Sequence, residues 1–339
     1  MTEISVPRLR RAAAGASSRA PTVIYIAGSG RSGSTLLERV LGELPGVVNV
    51  GELIDLFRRT APRGERCGCG RAFADCPFWH GVGERAFEGW DDDSIATVCR
   101  LQRHVARQRH LPRLLIMPLA GRRFRANVAR YGACYAELYS AISAEAGAAY
   151  IVDASKWPVQ ALALFQAGLD IRVIHLVRDV RGVAHSHNKR EVKRPHALRE
   201  GEVMWHQAPA AAAARWVTSQ SQAELLPGYG VPVTRMRYED FVHQPRHAIE
   251  MALAGLGLPL CPSQSAPIGK GSVVLGRSHG LSGNPSRFRC GVITLQVDEA
   301  WRKRMSRRDR FAVTAIGLPL LLRYGWRPLG HSSSRGGHE

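Results

Sequence analysis

The chain has 339 residues, 45% hydrophobic and 22% charged, enough to bury a sizeable core in one large α/β domain or two small ones. Its formal net charge of +19 suits an anionic cofactor or acceptor, nucleic acid or an acidic membrane surface, and equally a solvated basic face, so charge alone selects no function. No apolar run reaches the roughly 18–20 residues of a membrane helix, and Arg8, Arg10 and Arg11 are not followed by the apolar core of a secretory signal.

Seven cysteines, an odd count without an export signal, lead to the expectation of reduced thiols and a cytoplasmic protein. Residues 1–20 and 331–339 read as tails around a single domain, 21–330. In chain order, residues 22–27 predict the first strand and 33–44 its helix, which Pro45-Gly46 closes. Between them runs Gly28-Ser29-Gly30-Arg31-Ser32-Gly33-Ser34-Thr35. Glycines let a backbone turn tightly, and successive N–H groups at a helix start converge on an anion. The spacing is that of a phosphate-binding P-loop, but Ser34 stands where a nucleoside triphosphatase carries lysine. The cation sits inside the loop instead, as Arg31.

A second strand is predicted over 47–50, leading into Gly51-Glu52, and residues 60–95 read as loop-rich. Residues 96–147 read as mainly helical, with breaks near Pro112 and Pro118. The segment 55–147 is thus expected to form a mostly helical insertion over the sheet edge. It contains nine arginines and no acid between Arg100 and Arg130. They either line a cleft for an anionic glycan, lipid head group or acidic peptide, or form a solvated helical face. A short strand at 149–152 precedes Asp153-Ala154-Ser155-Lys156, and a helix follows over 159–167. Residues 171–177 form the clearest strand, apolar and β-branched, stopped by Arg178-Asp179. Helical patterns at 181–186 and 202–224, a strand at 231–237 and a helix at 248–256 complete the alternation. Strands alternating with helices predict an α/β fold, a P-loop-like, doubly wound parallel sheet whose ligands sit beyond the strand carboxyl ends.

Arg178 and Ser186 stand eight apart, at the end of that strand and in the following helix. A guanidinium fork and a serine hydroxyl suit one phosphate, which gives the same sheet edge a second anion site beside the loop. Together these residues resemble a known family. Gly28 to Thr35 resembles the 5′-phosphosulfate loop of sulfotransferases that use 3′-phosphoadenylyl sulfate (PAPS). Leu176-Val-Arg178-Asp-Val-Arg-Gly-Val-Ala-His-Ser186 resembles their 3′-phosphate motif. Val152-Asp-Ala-Ser-Lys156, Arg237-Tyr-Glu-Asp-Phe241, His279-Gly-Leu-Ser-Gly-Asn-Pro-Ser-Arg287-Phe288 and Leu322-Arg-Tyr-Gly-Trp326 also match. The resemblance spans about residues 22–327 and is nearest to bacterial members and the carbohydrate and tyrosylprotein branches.

The resemblance implies in-line transfer of a sulfuryl group from PAPS to an acceptor hydroxyl or amine, with no metal in the chemistry. It assigns Gly30, Arg31, Ser32, Gly33, Ser34 and Thr35 to the 5′-phosphosulfate, Arg178 and Ser186 to the 3′-phosphate, and Arg190, Tyr238 and Arg287 to further nucleotide contacts. Glu52 falls where related branches place the general base, and Lys156 where they place a cation on the leaving oxygen; Arg31 shares the charge of transfer. The implied acceptor is a carbohydrate, glycolipid or small metabolite, and it is anionic if the basic insertion meets it. Two other readings compete. A P-loop kinase for a small metabolite needs the missing loop lysine and carboxylates for magnesium. A basic nucleic-acid-binding protein needs aromatic–basic interleaving, and aromatic residues make up only 7%.

Cys67, Cys69 and Cys76 could join His80 as four zinc ligands, but the spacing is not that of a standard zinc finger, so buried or paired thiols are expected and no metal is assigned. His175, inside an apolar strand, reads as a packed core histidine, with His185 and His187 as minor candidates for a base. Trp205 and Trp216 read as core residues rather than sugar platforms.

Overall fold

Five parallel strands organise the chain in the computed structural model: β1 (Thr22–Gly28), β2 (Val47–Gly51), β3 (Tyr150–Lys156), β4 (Ile171–Val177) and β5 (Val233–Arg237). They lie in the order β2-β3-β1-β4-β5, so β1 sits centrally between the two directions of winding. The structure describes residues 20–189, 192–194, 202–258, 268–269 and 271–328.

The central strands are buried on both faces, which is why they read as continuous apolar runs. Side-chain alternation divides them between two cores. Val23, Tyr25 and Ala27 of β1, with Ile171 and Val173 of β4, face one side. There the helix Pro158–Gln166 packs on them, the helix Arg122–Ala146 packs on it and on β3, and Pro77–Phe87 and Asp92–Val105 extend the same core by packing on Arg122–Ala146 through Trp79 and Leu101. The segment 55–147 meets the sheet at β3, next to the edge strand β2, and shares this main core. Ile24, Ile26, Ile174 and Leu176 face the other side, against Leu37 and Leu41 of the helix Ser34–Leu41 and Ile249 and Leu253 of Pro245–Gly255. A third cluster joins the helices Val180–His187, Pro209–Leu225 and Arg307–Arg323 around Trp216 and Val313.

Local chemistry sets the helix starts. The helices at Pro77, Pro158, Pro209 and Pro245 begin on proline, whose fixed φ suits the first turn and whose missing N–H is no loss there. Asp91 and Asp179 cap their helices by accepting from the backbone N–H of Ser94 and Arg181. A small antiparallel pair, β6 (Ser272–Leu275) and β7 (Gly291–Thr294), lies outside the sheet and brackets the loop 276–290. Among the described residues no helix is long and apolar enough to cross a membrane.

Candidate active site

Register decides what gathers at the carboxyl edge. Ala27 of β1 pairs with Lys156 of β3, Gly28 with Leu176 of β4, and Gly51 of β2 with Asp153 of β3, while Val177 pairs with Arg237 of β5. The glycine loop, Glu52, Lys156, Arg178 and Tyr238 each follow or end one of these strands. They line one cavity of about 470 Å³, together with Gly30, Arg31, Gly33, Ser34, Thr35 and Ser186. Arg190 lies outside the described residues. Ser32, within the loop, is buried and does not line the cavity, and its hydroxyl has no hydrogen-bond partner among the described residues.

The loop is held in a conformation that few residues tolerate. Arg31 adopts φ 66° and Gly33 φ 91°, both left-handed. A Cβ on Gly33 would lie 2.4 Å from Cδ2 of Tyr238, so only glycine lets that ring pack on the loop. Arg178 ties the loop to the next strand: its Nη1 donates to the Arg31 carbonyl at 2.9 Å and its Nη2 to the Asp298 carbonyl at 3.2 Å. Its guanidinium also stacks 4.7 Å from the Tyr238 ring, and the Asp298 carboxylate lies 3.7 Å away. Burial lowers the Arg31 pKa, with the Glu52 charge opposing that shift.

Glu52 and Lys156 form an ion pair inside the cavity, and Lys156 holds a left-handed φ of 69°. A segment far along the chain closes on them. The Leu281 N–H donates to the Val50 carbonyl at 2.9 Å, and the Glu52 N–H to the Leu281 carbonyl at 2.8 Å. At Gly51, φ 77°, a Cβ would lie 2.1 Å from the Leu281 oxygen. Behind the pair, burial raises the Glu38 carboxyl to about 8 despite the nearby Lys156 charge. Asp153 is also buried and raised to about 6, and it accepts from the Ser155 N–H at 2.9 Å and the Tyr139 hydroxyl at 2.7 Å. It orients neighbours, since Ser155 Oγ in turn accepts from the Ile54 N–H at 2.9 Å.

The sequence also matches a family model, described as the sulfotransferase family, over residues 21–262. The chain belongs to the sulfotransferase family. No curated protein sequence matches it significantly. Among solved structures it is similar to the sulfotransferase domain of the Synechococcus PCC 7002 olefin synthase, at 18% identity over 90% of this chain and 96% of that one, with a TM-score of 0.47. A sulfotransferase from Alicyclobacillus acidocaldarius follows at 13% identity, 90% and 94% coverage and a TM-score of 0.41. One from Mycobacterium avium has 12% identity, 93% and 79% coverage and a TM-score of 0.46.

Several side chains of this sulfotransferase lie elsewhere than expected. Arg287 does not line the cavity; it is 1% exposed, and its guanidinium donates to the carbonyls of Gly280, Ser282 and Arg66. It pins the loop 276–290 from beneath, and burial pulls its pKa down to about 10. Trp205 is no core residue: it is 58% exposed, stacks on Arg215 and lines the cavity, because residues 202–208 are not helical and the helix begins only at Pro209. Trp216 is buried as expected and donates to the Arg178 carbonyl at 3.1 Å.

None of the arginines from Arg100 to Arg130 lines this cavity. Their helices bury Val98, Leu101, Leu114 and Val128 and turn the arginines toward solvent, and Arg100, Arg113 and Arg123 line a second cavity of about 770 Å³. His175 is packed, its Nε2 2.5 Å from Gln220 Oε1. His187 does reach the cavity; burial and the Arg31 charge lower it to about 4, so it is neutral and a weak base at pH 7. Cys67 and Cys76 are buried, as one of the two expectations had it, Cys69 is half-buried and none is paired; the histidine beside them is His279, not the exposed His80. Glu38 was missed because a glutamate in an amphipathic helix reads as a surface residue.

Proposed function

We propose that the chain transfers a sulfuryl group from PAPS to a hydroxyl or amine of a carbohydrate, glycolipid or small-metabolite acceptor, with Glu52 as general base. The observation that carries this reading is that two anion motifs about 150 residues apart in sequence, the glycine loop and Arg178 with Ser186, share one cavity with an acid–base pair.

Glycine-loop N–H groups, with Arg31, Ser34 and Thr35, would hold the 5′-phosphosulfate; Arg178 and Ser186 would hold the 3′-phosphate. In the transfer, the acceptor oxygen or nitrogen bonds to sulfur as the bond from sulfur to the bridging phosphate oxygen breaks. The acceptor proton passes to the Glu52 carboxylate. The electron pair stays on the leaving phosphate oxygen, where Lys156 and Arg31 meet the new charge. The chemistry is mostly positioning and electrostatics, and the rigid strand ends supply both. Trp205, with its exposed face at the cavity, is placed to contact the acceptor.

Calorimetric titration with adenosine 3′,5′-bisphosphate (PAP), AMP and ATP tests the reading. PAP is expected to bind much more tightly than AMP, and Arg178→Ala to remove that preference. Tighter binding of ATP, especially with magnesium, would overturn it in favour of a kinase.

A further inference from the structure

We propose that Cys67, Cys69, Cys76 and His279 bind one structural zinc ion. One ligand atom from each residue lies within 4.8 Å of the other three. Zinc bonds sulfur at about 2.3 Å and imidazole nitrogen at about 2.0–2.1 Å, so a tetrahedron places its sulfurs about 3.8 Å apart and sulfur and nitrogen about 3.6 Å apart. Cys76 Sγ lies 3.6 Å from Cys67 Sγ and 3.7 Å from Cys69 Sγ. His279 Nδ1 lies 3.6 Å from Cys67 Sγ and 3.3 Å from Cys76 Sγ. A disulfide would draw two sulfurs to about 2.05 Å. Four of the six separations, 3.3–3.7 Å, already match a tetrahedral shell, and the other two are within 4.8 Å.

The surroundings hold the ligands in place. The Gly70 N–H donates to the Cys67 carbonyl at 2.9 Å and the Cys67 N–H to the Arg71 carbonyl at 2.8 Å, so Cys67 and Cys69 sit on one tight turn. The His279 ring stacks on Phe78 at 4.7 Å between centroids, and its carbonyl accepts from the Trp79 indole at 2.9 Å. Cys67 and Cys76 are buried. On binding, three thiols release their protons to solvent, so Zn²⁺ with three thiolates and a neutral imidazole carries one negative charge. The buried Arg287 guanidinium, bonded to the carbonyls of Arg66 and Gly280 beside two of the ligands, is placed to offset it.

Four protein ligands close the shell and leave no position for a substrate, so the ion is structural. It would clamp the start of the insertion to the loop 276–290. That loop carries Leu281, which is hydrogen-bonded on both sides of Gly51, and Gly283, where a Cβ would lie 3.0 Å from Glu52 Oε1. The inference is independent of the donor and acceptor proposed above.

Metal analysis of the full chain, purified under reducing conditions and dialysed against a chelator, tests the site, with X-ray absorption at the zinc edge. The expected result is about one zinc per chain with about three sulfur neighbours and one nitrogen. His279→Cys, chosen because it can still ligate, should keep the metal and convert the shell to four sulfurs, while His80→Ala should change neither content nor shell. A folded, metal-free chain that fails to take up added zinc, a Cys67–Cys76 disulfide in the mass spectrum, or an unchanged zinc shell in His279→Cys would each overturn the proposal.

Discussion

Lys156 closes against Glu52 across the carboxyl edge of the sheet, although one ends β3 and the other follows β2. The two strands are neighbours, and the pairing of Gly51 with Asp153 brings both side chains to one wall of the cavity. The proposed transfer asks for a proton acceptor at its entering end and a cation at its leaving end, the roles proposed for Glu52 and Lys156.

Glu52→Gln keeps the shape of the side chain and removes the proposed proton acceptor. Transfer to an acceptor found by screening should slow by about 10²–10⁴-fold, the usual contribution of a positioned base, while PAP affinity stays close to wild type. A loss of turnover below about tenfold would move the base elsewhere, with Asp55 the other carboxylate that lines the cavity.

Arg287→Met separates a nucleotide contact from a scaffold. Three carbonyls lose their donor in a buried setting, so denaturant unfolding should show a loss of about 2–5 kcal/mol. A direct guanidinium–phosphate contact would instead cost roughly tenfold to hundredfold in PAP affinity. A loss of that size at unchanged stability would return Arg287 to the nucleotide.

Much of the fold was legible because burial on both sheet faces leaves a plain signature. The predicted strand 171–177 matches β4, whose residues are almost all buried. β3 runs on to Lys156, beyond its predicted end at 152; Asp153 and Ser155 are polar and read as a strand end, and the partners that bury them beyond each other, Tyr139 and the Ile54 N–H, are not visible from the local sequence. The meeting of the glycine loop and Arg178 at one cavity was legible because both follow strands of the same sheet in sequence. His279 was not: it stands about 200 residues from the cysteines, and only the return of the loop 276–290 to β2 brings it there. Proximity in sequence pointed to His80, which the helix Pro77–Phe87 turns outward. The pair β6 and β7 escaped for a related reason, being short and half exposed, with Val274 and Val292 open to solvent.

Glu38 gives the stability a pH dependence whose sign can be worked out. Its carboxyl titrates at about 8 in the folded chain against an ordinary value of 4.5, with burial the largest cause. Below 4.5 both states hold the proton, and Glu38 costs the fold nothing. Between 4.5 and about 8 the unfolded chain releases its proton while the folded chain keeps it, so stability falls as pH rises, by at most about 1.4 kcal/mol per pH unit. Above about 8 both states are ionised and the loss is complete. Glu38→Gln carries no such proton, so urea unfolding at pH 5, 6.5 and 8 should show wild type losing stability relative to the variant at each step. Parallel curves would mean that the Lys156 charge, not burial, governs Glu38. In that case Glu38 would compete with Glu52 for Lys156 at neutral pH. A neutral Glu38 instead leaves Glu52 as the carboxylate that faces Lys156 and the loop cation Arg31, which is the charge arrangement the proposed transfer requires.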